Sequence, residues 1–193
     1  MTRPRAVVAM AASAGGLNAL SVVLSGLAAT LPAAVAIVQH LDPRRPSLIA
    51  PLLDRRSGPA VREARDGEPL LEGVACVAPP NHHLLVTPEG VCSLTTTELV
   101  HFVRPSADLL FESVAASFGP AAIAVVLTGT GVDGSLGIAA VKERGGLVIA
   151  QDAAAEFGGM PAAAIATGLV DRILPLEEVA PAISAALAEA VRS

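Results

Sequence analysis

A chain of 193 residues that is 52% hydrophobic and 16% charged has the apolar content of one large folded domain, and it excludes a disordered segment, which would be charge-rich and aliphatic-poor. Net charge is −5, and the aromatic residues are four phenylalanines, Phe102, Phe111, Phe118 and Phe157. Neither the basic footprint nor the stacking platform of a nucleic-acid binder is present. No apolar run reaches the ~18–20 residues a membrane span needs, so the expectation is a cytoplasmic chain that does not insert in a membrane.

In chain order, short continuous apolar runs alternate with helix-length amphipathic segments. The first run, Ala6–Ala11, leads into Ser13-Ala14-Gly15-Gly16 and a predicted helix over Leu17–Ala29. The next run, Ala34–Val38, ends in Gln39-His40 and is followed by a predicted helix over Pro46–Arg56. From Ala60 to Thr97 the sequence is turn-rich, with strand-like runs around Val74, Leu84 and Val91, and reads as an antiparallel edge hairpin inserted in the sheet. Helix Ser106–Phe118, strand Ile123–Leu127, a glycine-rich turn and helix Ser135–Arg144 follow. Strand Leu147–Ala150 comes next, and the chain closes on a helix over Leu176–Val191 with Pro181 in its first turn. Apolar runs of this length suit strands buried on both faces. The alternation predicts an α/β fold with a mostly parallel sheet and right-handed crossovers, a single domain over residues 1–193.

Ligands of open parallel sheets bind beyond the carboxyl ends of the strands, so those ends are where chemistry is sought. Three of them carry Ser13, His40 and, within Thr128-Gly129-Thr130-Gly131-Val132-Asp133-Gly134, Asp133. Each has a plainer reading. Ser13 can cap the helix that follows it, His40 can be a strand-end histidine bonded to a loop carbonyl, and Asp133 can cap the helix after Gly134. A phosphate loop is disfavoured, because G-x-G-x-x-G is absent and Lys142 is the chain's one lysine. Together, a hydroxyl, an imidazole and a carboxylate on one rim are what acyl transfer from an ester or amide requires. The Ser13 turn resembles a nucleophile elbow with Ala11 in place of the first glycine of G-x-S-x-G. His82 and His83 follow Pro79-Pro80-Asn81 and read as solvated loop residues; His101 can line a cleft or sit on the surface, and the Arg44-Arg45 pair reads as a solvated loop that can also attract an acidic helix. Cys76 and Cys92 have no metal-ligand spacing and read as ordinary thiols.

The segments AASAGGLNAL, AIVQHLDP, EARDGEPLLEGVACVAPPNHHLLV, VRPSADLLFESVA, VVLTGTGVDGSLGI, GGLVIAQD, GMPAAAIATGLVD and ILPLEEVAPAI, in this order, resemble the catalytic domain of the chemotaxis protein-glutamate methylesterases (CheB type). The resemblance implies a doubly wound α/β sheet and hydrolysis of glutamyl methyl esters on chemoreceptors, extended in some members to deamidation of receptor glutamines. It implies Ser13 as nucleophile, His40 as base and Asp133 as third member of the triad. Ala14, Gly15, Thr130, Gly131 and Met160 would contact substrate, with no metal or organic cofactor. The implied partners are methylated cytoplasmic helices of chemoreceptors or a related signalling protein. Departures from the family pattern are Ala11, Ala14, Thr130 and a segment between Asp152 and Met160 that is one residue shorter. The family's receiver domain does not precede the first strand, which predicts a stand-alone, constitutively competent domain. The competing readings are a serine esterase or amidase with another substrate, and a degenerate binding module on the same fold.

Overall fold

The computed structural model describes residues 3–41 and 47–192; Arg44 and Arg45 lie outside the described residues. Seven parallel strands form the main sheet: β1 (Val7–Ala12), β2 (Ala34–Gln39), β3 (Ala60–Glu63), β4 (Val74–Val77), β7 (Ala122–Val126), β8 (Leu147–Gln151) and β9 (Arg172–Leu174). Two more, β5 (His83–Val86) and β6 (Cys92–Thr95), pair antiparallel as a separate two-stranded sheet. The helices are α1 (Gly16–Ser25), α2 (Ile49–Asp54), α3 (Ala107–Phe118), α4 (Gly137–Glu143), α5 (Gly159–Ala166) and α6 (Leu176–Arg192).

Sheet order is β3-β4-β2-β1-β7-β8-β9, every pairing parallel. The chain winds one way from β1 to β2 and the other way from β7 to β8 and β9. The doubly wound fold therefore has its switch point between β1 and β7, where a crevice opens at the carboxyl ends. The continuous apolar runs are explained by burial on both faces. In β1, Val7, Ala9 and Ala11 join the core beneath α3, α4 and α5, while Val8, Met10 and Ala12 join the core beneath α1, α2 and α6. Alanine at Ala9, Ala36 and Ala124 in one face lets the bulkier Leu110, Phe111 and Val114 of α3 fill the space above it.

Three details depart from the sequence reading. The antiparallel hairpin is present but stands apart from the sheet, packed against α3; the main-sheet edge is β3, which pairs parallel with β4. The period-two pattern shows that a strand has two faces but not which strand it pairs with, and the turn-rich stretch hid a crossover. Helix α5 and strand β9 also emerge from a segment whose short, alanine-rich runs carried no clear period. Pro181 lies in the second turn of α6, inside the helix. Cys76 and Cys92 are free, buried thiols. Among the described residues, no helix is long and apolar enough to cross a membrane.

Candidate active site

Strand β1 carries Ser13 past its end. The register Ala12↔Gln39 makes Ser13 and His40 the next residues on adjacent parallel strands, and the His40 N–H donates to the Ala12 carbonyl at 3.1 Å. The Ser13 N–H turns the other way, to the Thr128 carbonyl after β7 at 3.0 Å. The nucleophile candidate thus sits on the switch point. Gly15, at φ 74, makes the turn that only glycine enters without strain, and it, not Ser13, is the N-cap residue of α1.

The His40 Nε2 lies 2.8 Å from Asp133 Oδ2, with the side chains 12% and 4% exposed. Asp133 is held by three further donors: Ser106 Oγ at 3.0 Å and the backbone N–H groups of Ala107 at 2.6 Å and Asp108 at 3.2 Å. It therefore caps α3, a helix remote in sequence, and not α4, which the sequence reading gave as its plainer role. Burial alone pushes the Asp133 carboxyl up. The bonds from His40, Ala107 and Asp108 together with the imidazole's charge outweigh that burial, holding the carboxyl below its ordinary value. The α3 N-terminus adds a favourable dipole for the ionised form.

Behind this carboxylate stands a residue read from sequence as solvated. His83 is fully buried; its Nδ1 accepts the Ser106 N–H at 3.1 Å and its Nε2 donates to the Glu98 carbonyl at 3.0 Å. These two bonds define a neutral imidazole with its proton on Nε2. It fixes the peptide of Ser106, whose hydroxyl in turn holds Asp133. A serine at the head of a helix is a capping signal, and Ser106 is the N-cap of α3; its service to Asp133 has no local signal, since 27 residues separate them.

The loop after β7 is fastened by side chains. Gln151 Oε1 accepts the Thr128 N–H at 2.9 Å, and Thr128 Oγ1 donates to the Ala14 carbonyl at 3.1 Å and accepts the Phe157 N–H at 2.9 Å. Through Phe157 the short segment before α5 is tied to the same loop, closed by Gly129 N–H to the Phe157 carbonyl at 2.8 Å. Of the residues expected to contact substrate, Ala14 and Gly15 are partly exposed at the Ser13 turn, and Thr130 and Gly131 are exposed on the rim. Met160 is completely buried and backs Gly129, where a β-carbon would lie 2.3 Å from its sulfur, so in this structure it presents no surface to a substrate. An apolar cavity of about 600 Å³ opens beside Ser13, walled by Leu17, Leu41, Leu48, Ile49 and Leu52.

The CheB methylesterase family model matches residues 8–183. The chain belongs to the CheB methylesterase family. It is 40% identical over 187 residues to a protein-glutamate methylesterase/protein-glutamine glutaminase of Symbiobacterium thermophilum, covering 96% of this chain and 52% of that protein. It is 43% identical over 184 residues to the protein of the same name from Moorella thermoacetica, covering 93% of this chain and 43% of that one. The chain spans about half the length of the curated relatives it matches. The crystal structure of the Thermotoga maritima CheB methylesterase catalytic domain superposes with a TM-score of 0.90 at 32% identity, covering 93% of this chain and 97% of that one. The CheB-family resemblance and its doubly wound fold, drawn from the sequence motifs, are thereby established.

Proposed function

We propose that this chain is a serine hydrolase that removes the methyl group from glutamyl methyl esters on chemoreceptors, and that the same site deamidates receptor glutamines. Membership of a family whose relatives carry the name protein-glutamate methylesterase/protein-glutamine glutaminase supports the substrate class. The observation that carries the chemistry is the 2.8 Å His40–Asp133 bond on the strand end adjacent to Ser13.

In this reading Ser13 Oγ attacks the side-chain carbonyl carbon of the substrate. With Nε2 engaged by Asp133, Nδ1 of His40 is the nitrogen that takes the serine proton, and Asp133 stabilises the imidazolium that results. N–H groups at Ala14–Gly15 and Thr130–Gly131 face the developing oxyanion; one well-placed donor is worth about 3–4 kcal/mol. Collapse of the tetrahedral species breaks the ester C–O bond, and the imidazolium gives its proton to the departing methoxide, releasing methanol. Water, deprotonated by the same nitrogen, then attacks the glutamyl-serine ester, which frees the carboxylate and returns the proton to Ser13. For a glutamine, ammonia leaves in place of methanol. No step calls for a metal or an organic cofactor.

The test is methanol release from a methylated chemoreceptor by the purified chain, beside Ser13→Ala. Release by the wild type that vanishes in the variant is expected; release that is absent, or equal in the two, overturns the reading.

A further inference from the structure

Strand β2 reads Ala-Val-Ala-Ile-Val-Gln, and Gln39 is its one polar residue. It is as buried as its apolar neighbours, at 5% exposure. Its Nε2 donates to the Ser13 carbonyl at 2.8 Å and to the His40 carbonyl at 3.0 Å, using both amide hydrogens. We propose that Gln39 is a positioning residue, whose side-chain amide joins the peptide of Ser13 to the peptide of His40 and so sets the geometry of proton transfer between them. This rests on the hydrolase reading above.

Three observations separate this role from space-filling. First, the backbone ladder between β1 and β2 ends at the His40 N–H to Ala12 carbonyl bond, because Ser13 turns towards Thr128. Beyond that point the Gln39 amide continues the tie between the two strand ends. Ser13 is thereby gripped on both flanks, by the Thr128 carbonyl on its N–H and, on its carbonyl, by Gln39 at 2.8 Å beside the Gly16 N–H of its own turn at 2.9 Å. Second, Gln39 Oε1 is buried without a hydrogen-bond partner among the described residues. Folded proteins rarely retain such an atom, and a leucine or methionine would fill the same volume without one. The amide is kept for its donors. Third, Gly16 has no positive φ to require glycine, yet a β-carbon there would lie 1.9 Å from Gln39 Oε1. The same β-carbon would lie 2.8 Å from the Ala12 Cβ, so the first residue of α1 is small where the amide and the end of β1 both press against it.

The experiment compares wild type, Gln39→Met and Gln39→Glu. The first variant keeps the length of the side chain without donors; the second keeps its shape and turns an acceptor towards two carbonyls. The readouts are the rate of Ser13 capture by a fluorophosphonate, kcat and KM on a glutamyl methyl ester peptide, and the thermal midpoint. Both variants are expected to lose roughly 10–100-fold in capture rate and kcat, the scale of a misplacement of about an ångström, with KM within about threefold. Rescue of either readout by the isosteric Gln39→Glu, or a loss confined to KM, overturns the inference. If Gln39→Met fails to fold, Gln39→Glu and Gln39→Leu carry the test, and wild-type capture in a folded one overturns it equally. Failure of the wild type itself to be captured at Ser13 overturns the hydrolase reading, whatever the Gln39 variants do.

Discussion

Among the described residues there are two histidine–aspartate pairs, each with its carboxylate at the start of a helix, and they are held in opposite ways. In the first, Asp133 meets His40 at 2.8 Å and takes three more donors from Ser106, Ala107 and Asp108. In the second, Asp108 Oδ1 accepts the N–H groups of Leu136 at 3.0 Å and Gly137 at 2.7 Å, while Oδ2 stands 3.2 Å from His101 Nε2. That approach lies off the hydrogen-bonding direction, and Oδ2 has no hydrogen bond among the described residues. Both carboxylates are 4% exposed, but the His101 ring is 36% exposed against 12% for His40. His101 and Phe102 stand at positive φ, 50 and 64, at the corner of a surface turn closed by Val100 and Val103, a strained backbone for such side chains.

The two carboxyls respond in opposite directions. Burial pushes Asp108 up and the nearby Asp133 charge pushes the same way, against the Gly137 and Leu136 N–H groups and the His101 charge. Asp133 is lowered despite its burial. Equal burial therefore does not give equal chemistry; the number and aim of the donors decide. A carboxylate that is firmly ionised and aligned on an imidazole is equipped to fix a tautomer, whereas the second pair has the composition of the first without its alignment.

The sharpest way to break this comparison is to delete each histidine. Removing His40 as His40→Ala should cost about 10⁴–10⁶-fold in kcat on a glutamyl methyl ester, on the scale of Ser13→Ala, because nucleophile and base act as a unit. His101→Ala should stay within about threefold. Comparable losses in the two variants, measured by steady-state methanol release, would place both pairs in the chemistry.

Deleting charge from the carboxylates comes next. Asp133→Asn should lower kcat by about 10²–10⁴-fold through loss of tautomer control, and Asp108→Asn by less than about tenfold. A smaller effect is expected one residue further back. Ser106→Ala removes one donor to Asp133 and the cap of α3, for about 1–2 kcal/mol of stability by chemical denaturation and a several-fold loss in kcat.

The finest discrimination is the pH dependence of stability. Asp133 is lowered from 3.8, so its contribution is complete above that value and is lost as pH falls through its folded value. Asp108 is raised from 3.8, so its contribution is present below that value and is lost as pH rises through its folded value. Denaturation midpoints followed from about pH 2 to 7 should therefore show a weaker rise with pH in Asp133→Asn than in the wild type, and a steeper one in Asp108→Asn. Identical slopes in the two variants would show that the carboxyls are not distinguished by their settings.

The sequence by itself determined the α/β alternation, the strands buried on two faces and the three strand ends that carry Ser13, His40 and the Asp133 loop. These follow from local periodicity and from chain order, which a single sequence displays. It also displayed the start of a helix at Ser106 and the glycines of both turns. It did not display which helix Asp133 serves, because a cap read locally points to the next helix, whereas the carboxylate reaches back to α3 across the crevice. Nor did it show that His83 is buried behind Ser106, since a histidine after Pro-Pro-Asn looks like any other loop residue until the β5–β6 hairpin folds onto α3. The burial of Met160 and the part played by Gln39 were hidden for the same reason: exposure and amide orientation are properties of the neighbours. Tertiary structure decided these because hydrogen bonds are short-ranged and directional, while His83 and Ser106 lie 23 residues apart along the chain and His40 and Asp133 lie 93 apart.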